Sequence, residues 1–571
     1  MKKILVLIAV AIMTLSLCAG CGNNTSPPAD TEPGATTETP SGTTTEAEDL
    51  NETSVLNMAW TSSIGTDSVF QCPWFGKMSM YPYFVFDRLI QMGPDGSDIV
   101  PGLAQSMDIS SDGLTYTFTL EENVKWHDGT PFTAEDVLFT YNTIVKYPMS
   151  GFTSFLSVIS GVQEVIDGNA DTISGLTSEG NKVIFSLDNP DNTITLSSFA
   201  AIEILPKHLL QDVDPVVFDE YEAYWKKPIG TGMYMIDEVS FPNYFSLVRN
   251  DDYFGEKGKI KQVVFKSYDT GGAEAITADM IAGNLDFSYG DAMNDINRAK
   301  NIATQNPDVK VEIVPAAYMR YFAFNLTGAQ DGNWSPDVKK EEVRQAFNLL
   351  IDKEMIASFY AGQAVSLTTF VNPALPEYNT AIPLFSRDVD KAKQMLEEAD
   401  FDFSRTIRLL YYYDDPITAD IMELVKQNFA EAGVKIEPFL ASGDLNALLY
   451  EQKNYELFYG GSNVATAMTH YDFLIAPGTS RDLLFEDMEF RTETFGKMMT
   501  EYKATLNDVD RKKIGDQIQV EAQKYGVIIP VYSLNKVIQY NASKLTLDDS
   551  IFIMDLELMR DWKLSSWELL K

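Results

Sequence analysis

Apolar and polar residues alternate with period two through Tyr116-Thr-Phe118-Thr-Leu120, the pattern of a strand with one buried face. Downstream, Thr133-Ala-Glu-Asp136 has the spacing of a capping box, and Val137, Leu138, Tyr141, Ile144 and Val145 then recur at helical spacing. The first half of the chain is therefore expected to mix strands and helices. In the second half Val343, Ala346, Phe347, Leu350 and Ile351 share one helix face, and Val389, Ala392, Met395, Leu396 and Ala399 share another. Next come an apolar strand from Ile407 to Tyr413, a helix with Ile421, Leu424, Val425 and Phe429 that stops at Gly433, and a strand from Val434 to Leu440. A helix from Leu445 to Gln452 and a strand from Tyr455 to Tyr459 follow, completing a βαβαβ order. Right-handed crossovers make the three strands parallel and direct their carboxyl ends at a ligand crevice. No solenoid repeat is present, so the chain divides into lobes rather than an array.

With 571 residues, 45% hydrophobic and 12% aromatic, the chain can build several large cores. A formal charge of -38 is the wrong sign for gripping a phosphate backbone and argues against nucleic acid as a partner. The plainest reading of that charge is a solvated acidic surface.

The N-terminus departs from the globular pattern. Met1-Lys2-Lys3 precedes an apolar run from Ile4 to Leu17 that is short for a bilayer span and reads as a secretory signal, residues 1–20. It ends in Leu17-Cys18-Ala19-Gly20-Cys21, which resembles a bacterial lipobox, with Cys18 where that motif usually has Leu. The motif implies lipidation of Cys21 and an extracytoplasmic protein anchored to the cell membrane as a lipoprotein. Gly22 to Leu50 has no aromatic residue, Lys or Arg, and residues 21–54 are expected to be a disordered acidic Thr- and Pro-rich tether. With Cys18 removed and Cys21 acylated, Cys72 is the last cysteine, so no intramolecular disulfide is expected.

Catalytic signatures are missing. His127, His208 and His470 are the three histidines, with no H-E-x-x-H spacing, and neither a P-loop nor a G-x-S-x-G elbow occurs. No cofactor or metal is expected. Binding signatures are present, because a ligand crevice needs aromatic walls and a few placed polar groups. Tyr459-Gly460-Gly461-Ser462-Asn463 puts bare backbone where the βαβαβ unit presents its carboxyl edge, with a turn that needs positive φ as the structural alternative. Of Tyr411-Tyr412-Tyr413, one or two rings must pack into the sheet, and Tyr412 is the candidate for the crevice. Leu56 to Ser63 reads as a first strand entering a polar loop, so Trp60, Thr61, Ser62 and Ser63 are candidates for the same cleft.

The residues Pro101-Gly-Leu-Ala-Gln-Ser106, Ser111-Asp-Gly-Leu-Thr-Tyr-Thr-Phe118 and Val124-Lys-Trp-His-Asp-Gly-Thr-Pro-Phe-Thr-Ala-Glu-Asp-Val137 closely resemble the family 5 extracellular solute-binding proteins. The resemblance continues through Gly230-Thr-Gly-Met-Tyr234, where the family usually has Pro in place of Met233, and through Val343-Arg-Gln-Ala-Phe347 with Ile351-Asp-Lys353. It implies an α/β, two-lobed periplasmic-binding-protein-like fold (type II, cluster C) with an extra subdomain in the first lobe. Lobe I is expected at 55–268 with the insertion at about 86–205, lobe II at 269–533, and a C-terminal return at 534–571, so the chain crosses between lobes near Tyr268 and near Ser533. His127, in a turn before a helix cap, is expected to be structural.

The family serves ABC importers, so the resemblance implies no enzyme activity. It implies a monomer that captures a small solute and delivers it to permease subunits with associated ATPases. Peptide-binding members carry a Gly-Trp-x-x-Asp run whose carboxylate holds the ligand's amino group. Here Gly461 stands at the Trp position and Val464 or Ala465 at the Asp position, with Asp472 as a candidate substitute. A peptide-like ligand is the leading expectation, followed by an oligosaccharide and then a metal chelate. A peptide pheromone sensor and an extracytoplasmic hydrolase are the rival functions.

Overall fold

The computed structural model describes residues 50–60, 70, 72–73, 81–92, 99–147, 150, 152–268, 272–288, 293–316, 318–373, 375–463, 494–547 and 565–570. Cys21, almost all of the tether, Thr61, Ser62, Ser63 and Asp472 lie outside them.

Two large sheets organise the chain. The first has seven strands in the spatial order Val309–Val314, Lys536–Asn541, Phe287–Ser288, Val55–Trp60, Gln262–Ser267, Tyr244–Arg249 and Tyr234–Ser240. The second has six, in the order Ala364–Ser366, Ile528–Leu534, Tyr318–Phe324, Leu457–Asn463, Thr406–Tyr411 and Lys435–Leu440. Each sheet has its own large hydrophobic cluster, one built on residues such as Leu56, Phe84, Phe245 and Phe265, the other on Phe322, Phe347, Leu409 and Phe429. The two-lobed architecture follows from these separate cores.

Within the first lobe, Ala104–Ile109, Thr115–Leu120, Lys182–Ser186 and Leu176–Glu179 form a four-stranded antiparallel sheet. The alternation at Tyr116 and Phe118 buries both rings, and the helix Ala134–Ile144 begins at a capping box in which Asp136 accepts from the Thr133 backbone N–H at 2.9 Å. Val137, Tyr141 and Ile144 of that helix are fully buried, as the spacing requires.

The βαβαβ reading of the second lobe corresponds to Thr406–Tyr411, the helix Pro416–Glu431, Lys435–Leu440, a wide π-helical turn Ala447–Gln452 and Leu457–Asn463, with all three strands parallel. The strand ends differ from the sequence pattern. The strand expected to reach Tyr413 ends at Tyr411, and the one expected to end at Tyr459 continues to Asn463.

The first crossing also differs from expectation. Residues 272–314 belong to the first sheet through Phe287–Ser288 and Val309–Val314, so the chain leaves that lobe after Val314 rather than near Tyr268. Those strands pair with the C-terminal strand Lys536–Asn541, a contact distant in sequence that local pattern does not reveal. The return crossing is at Asn535, between Leu534 and Lys536 and two residues from Ser533. The crossings lie side by side: Asn372 Nδ2 donates to Ala316 O at 2.6 Å and to Ser533 Oγ at 2.7 Å, and Ser533 Oγ donates to Ala316 O at 2.9 Å. Gln363 Nε2 donates to Asn294 Oδ1 at 2.7 Å and to Asn535 O at 2.9 Å, tying both lobes to the return crossing.

Candidate functional site

The carboxyl edge of the second sheet's parallel strands is built from side chains of one face. Tyr318 pairs in register with Asn463, Arg320 with Gly461 and Phe322 with Tyr459, and Arg320 also faces Tyr532 on its other side. Directly opposed residues of antiparallel strands share a face, so the side chains of Tyr318, Arg320, Tyr459 and Tyr532 gather around the gap that Gly461 leaves. Tyr413 joins them from beyond the Thr406–Tyr411 strand, and Tyr360 from beyond the helix Lys353–Ser358.

The hydroxyls form two chains. Tyr412, Tyr413 and Tyr318 are linked at 2.9 and 3.1 Å, and Tyr412 Oη accepts weakly from the Gly461 N–H at 3.4 Å. Tyr459, Tyr532 and Tyr360 are linked at 2.8 and 2.6 Å. Burial pushes the Tyr412, Tyr459, Tyr532 and Tyr360 phenols above their ordinary pKa, so these hydroxyls keep their protons. Arg320 lies between the chains, its Cζ 3.2 Å from the Tyr413 ring centre and 4.9 Å from that of Tyr318. Burial disfavours its charged form, the negative charge that Tyr318, Tyr459, Tyr532 and Tyr360 would carry if ionised favours it, and the net shift of its pKa is upward.

Glycine at 461 has a steric cause. A Cβ there would fall 2.2 Å from Tyr318 Oη and 2.7 Å from Tyr413 Oη, closer than any real contact. The tyrosines thus occupy the space over Gly461, the position at which the resemblance implies a Trp. Gly460 to Asn463 is extended strand rather than a positive-φ turn. One edge of this stretch pairs with Tyr318 to Tyr321, whereas Thr406–Tyr411 pairs only with Leu457 to Tyr459, so its other edge has no strand partner among the described residues.

Of the residues singled out in the sequence, Tyr412, Gly460 and Gly461 meet here. Ser462 and Asn463 contribute described backbone opposite Met319 and Tyr318. Tyr459 is fully buried and bonded to Tyr532 rather than standing as an exposed wall, because its ring packs against those of Phe322 and Tyr413. Trp60 ends its strand in register with Ser267 of the first sheet, and its backbone alone is described. Arg320, Tyr318, Tyr360 and Tyr532 were missed, since strand pairing brings them in from distant sequence. The available signal was Arg320 itself, a single charge inside the otherwise apolar and aromatic strand Tyr318–Phe324. His127 lies away from this edge, bonded to Gly230 and Gly232. Among the described residues no His, Cys, Asp and Glu cluster is arranged to hold a metal, and no helix is long and apolar enough to cross a membrane.

Comparison with known proteins matches residues 98–481 to the family model described as bacterial extracellular solute-binding proteins, family 5 middle. A Brucella ovis protein provisionally named as an ABC transporter peptide-binding protein is 29% identical over 64% of this chain and 65% of its own length. The match thus spans just under two thirds of that relative. Heme-binding protein A of Haemophilus influenzae is 25% identical over 78% of this chain and 81% of its own length. The crystal structure of the ABC transporter substrate-binding protein CtaP from Listeria monocytogenes superposes with a TM-score of 0.73 at 23% identity, covering 90% of this chain and 99% of that one.

Proposed function

The chain belongs to the bacterial extracellular solute-binding proteins of family 5, and from that premise we propose that it is the solute-capturing component of an ABC importer, closing two lobes around a peptide-like ligand and passing it to a membrane permease. The observation that carries the reading is the Gly460 to Asn463 strand end. It has one edge without a strand partner among the described residues, beside a tyrosine-lined face and in the lobe joined to its neighbour by two adjacent crossings. An extended ligand can add to such an edge through its main chain, which gives affinity with little demand on side-chain identity. Closure then requires only that the ligand bind the closed arrangement better than the open one. The name of the Brucella relative supports the peptide class. An oligosaccharide is the second reading, favoured by the Tyr412 and Tyr413 rings at the same edge.

The chain performs no chemistry in this proposal and acts outside the cytoplasm, held to the membrane by lipid on Cys21. Mass spectrometry of gently purified protein identifies the co-purifying solute. A ligand at about 100 times its Kd is expected to add roughly 2.7 kcal/mol of stability and to lower the radius of gyration in X-ray scattering. A ligand that stabilises without compaction argues against closure, and turnover of that ligand supports the hydrolase instead. Cys21→Ser is expected to move the protein from the membrane to the soluble fraction; retention in the membrane refutes the anchor.

A further inference from the structure

The guanidinium of Arg320 makes no side-chain hydrogen bond or ion pair among the described residues, and its Nη1 is shielded from solvent with no acceptor. Every neighbour so far described offers it a ring face or a phenol, never a carboxylate. A guanidinium does not deprotonate in a protein, so it cannot avoid this situation by losing its charge. The π-face of Tyr413 partly compensates the charge but supplies no hydrogen-bond acceptor for the N–H fork. A buried donor left without an acceptor is destabilising, the more so when it is charged. The residue remains partly exposed as a whole, so the group is neither fully packed core nor solvated surface.

Arg320 is also the register partner of Gly461, next to the Gly460 to Asn463 stretch whose other edge has no strand partner among the described residues. We propose that Arg320 is a ligand-binding residue that accepts a carboxylate of the solute at the Gly461 edge, so that this end of the site selects an anionic group rather than an ammonium. A carboxylate arriving at the side of the guanidinium that remains exposed supplies a charge-assisted acceptor for its N–H groups, bidentately where geometry allows. The rings of Tyr413 and Tyr318 then hold the guanidinium by stacking, and Tyr459, Tyr532 and Tyr360 surround it without offering a carboxylate. The inference deepens the peptide reading above and rests on it for the ligand class, but not for the ligand's charge.

The test is a calorimetric titration of the full chain with tri-alanine and penta-alanine as free acids, C-terminal amides and N-acetyl acids, with Ala-Glu-Ala amide and with succinate. Free acids are expected to bind at least tenfold tighter than the matching amides, whereas acetylation changes affinity by less than tenfold. Arg320→Gln is expected to abolish the acid preference, and Arg320→Lys to retain part of it; near-ultraviolet circular dichroism of both variants confirms an intact tyrosine cluster. If Ala-Glu-Ala amide binds as tightly as the free acids, an acidic side chain rather than the chain terminus is the group held, which also supports the proposal. Equal binding of acids and amides by the unsubstituted protein keeps the peptide reading and overturns the role of Arg320. So does an acid preference that survives in both variants. Binding of succinate but of no peptide, lost in Arg320→Gln, keeps the anion site and overturns the peptide class, whereas absence of binding by every probe overturns both.

Discussion

Lowering the pH from 8 to 4 should remove a specific share of the stability of the first lobe through His127. Its Nδ1 accepts from the Gly230 N–H at 3.2 Å and its Nε2–H donates to Gly232 O at 2.9 Å. Both bonds are satisfied only by the neutral ring, since a second proton on Nδ1 would meet the Gly230 N–H head on. Burial lowers its pKa from 6.5 to about 4, against the opposing pull of Gly232 O and Asp128. With the folded value below the unfolded one, the contribution is complete above pH 6.5 and is lost as pH falls through that value towards 4. At 1.36 kcal/mol per pH unit the separation amounts to about 3 kcal/mol, or about 2 when screening of this partly exposed ring is allowed for. The comparison is urea unfolding of the wild type and His127→Gln, which keeps a donor and an acceptor but does not titrate. The difference in stability should be flat above pH 7 and should shift by about 2–3 kcal/mol against the wild type by pH 4. Three histidines in the chain make the imidazole proton resonance of His127 assignable by its loss in the variant. A folded-state midpoint near 6.5, or parallel unfolding curves, would refute the argument.

Asp87 works in the opposite sense. It is buried between Thr231 Oγ1 at 2.9 Å and Tyr253 Oη at 3.0 Å, and burial raises its pKa to about 6 despite those bonds and Arg88, so its contribution is present below 3.8 and lost as pH rises through about 6. Asp87→Asn should remove a fall of about 3 kcal/mol across that window, and because the His127 effect partly cancels it in the wild type, Asp87→Asn/His127→Gln should be compared with both single variants in the same pH series. Gly461→Ala should cost about 1–3 kcal/mol by overpacking against Tyr318 and Tyr413, and less in a Tyr318→Leu background; additive losses in thermal unfolding would show that the tyrosines are not the obstruction. Glu456 is 1% exposed and accepts from the backbone N–H of Arg408 at 2.7 Å, Arg408 Nη2 at 3.0 Å and the Ser335 N–H at 3.1 Å, so Glu456→Ala should destabilise the second lobe by about 3–5 kcal/mol, and a loss under 1 kcal/mol in urea unfolding would show the pair to be dispensable.

Local pattern and short motifs determined much of this molecule without reference to its three-dimensional form. The period-two run at Tyr116, the capping box at Thr133 and the helical spacing from Ile421 to Phe429 each depend on residues within one element, where side-chain geometry follows directly from spacing along the chain. The same locality made the parallel βαβαβ unit and its Gly460-Gly461 edge legible. Tertiary structure alone decided the rest. The first crossing lies after Val314 because Phe287–Ser288 and Val309–Val314 pair with a strand from the far end of the chain. Tyr459 is core and Tyr412 is edge because one lies within a strand and the other just beyond the end of its neighbour. Arg320 came to the candidate site only when antiparallel pairing set it opposite Gly461, a position 141 residues away. That its Nη1 has no acceptor among the described residues is set by side chains from separate elements, which the sequence around Arg320 does not record.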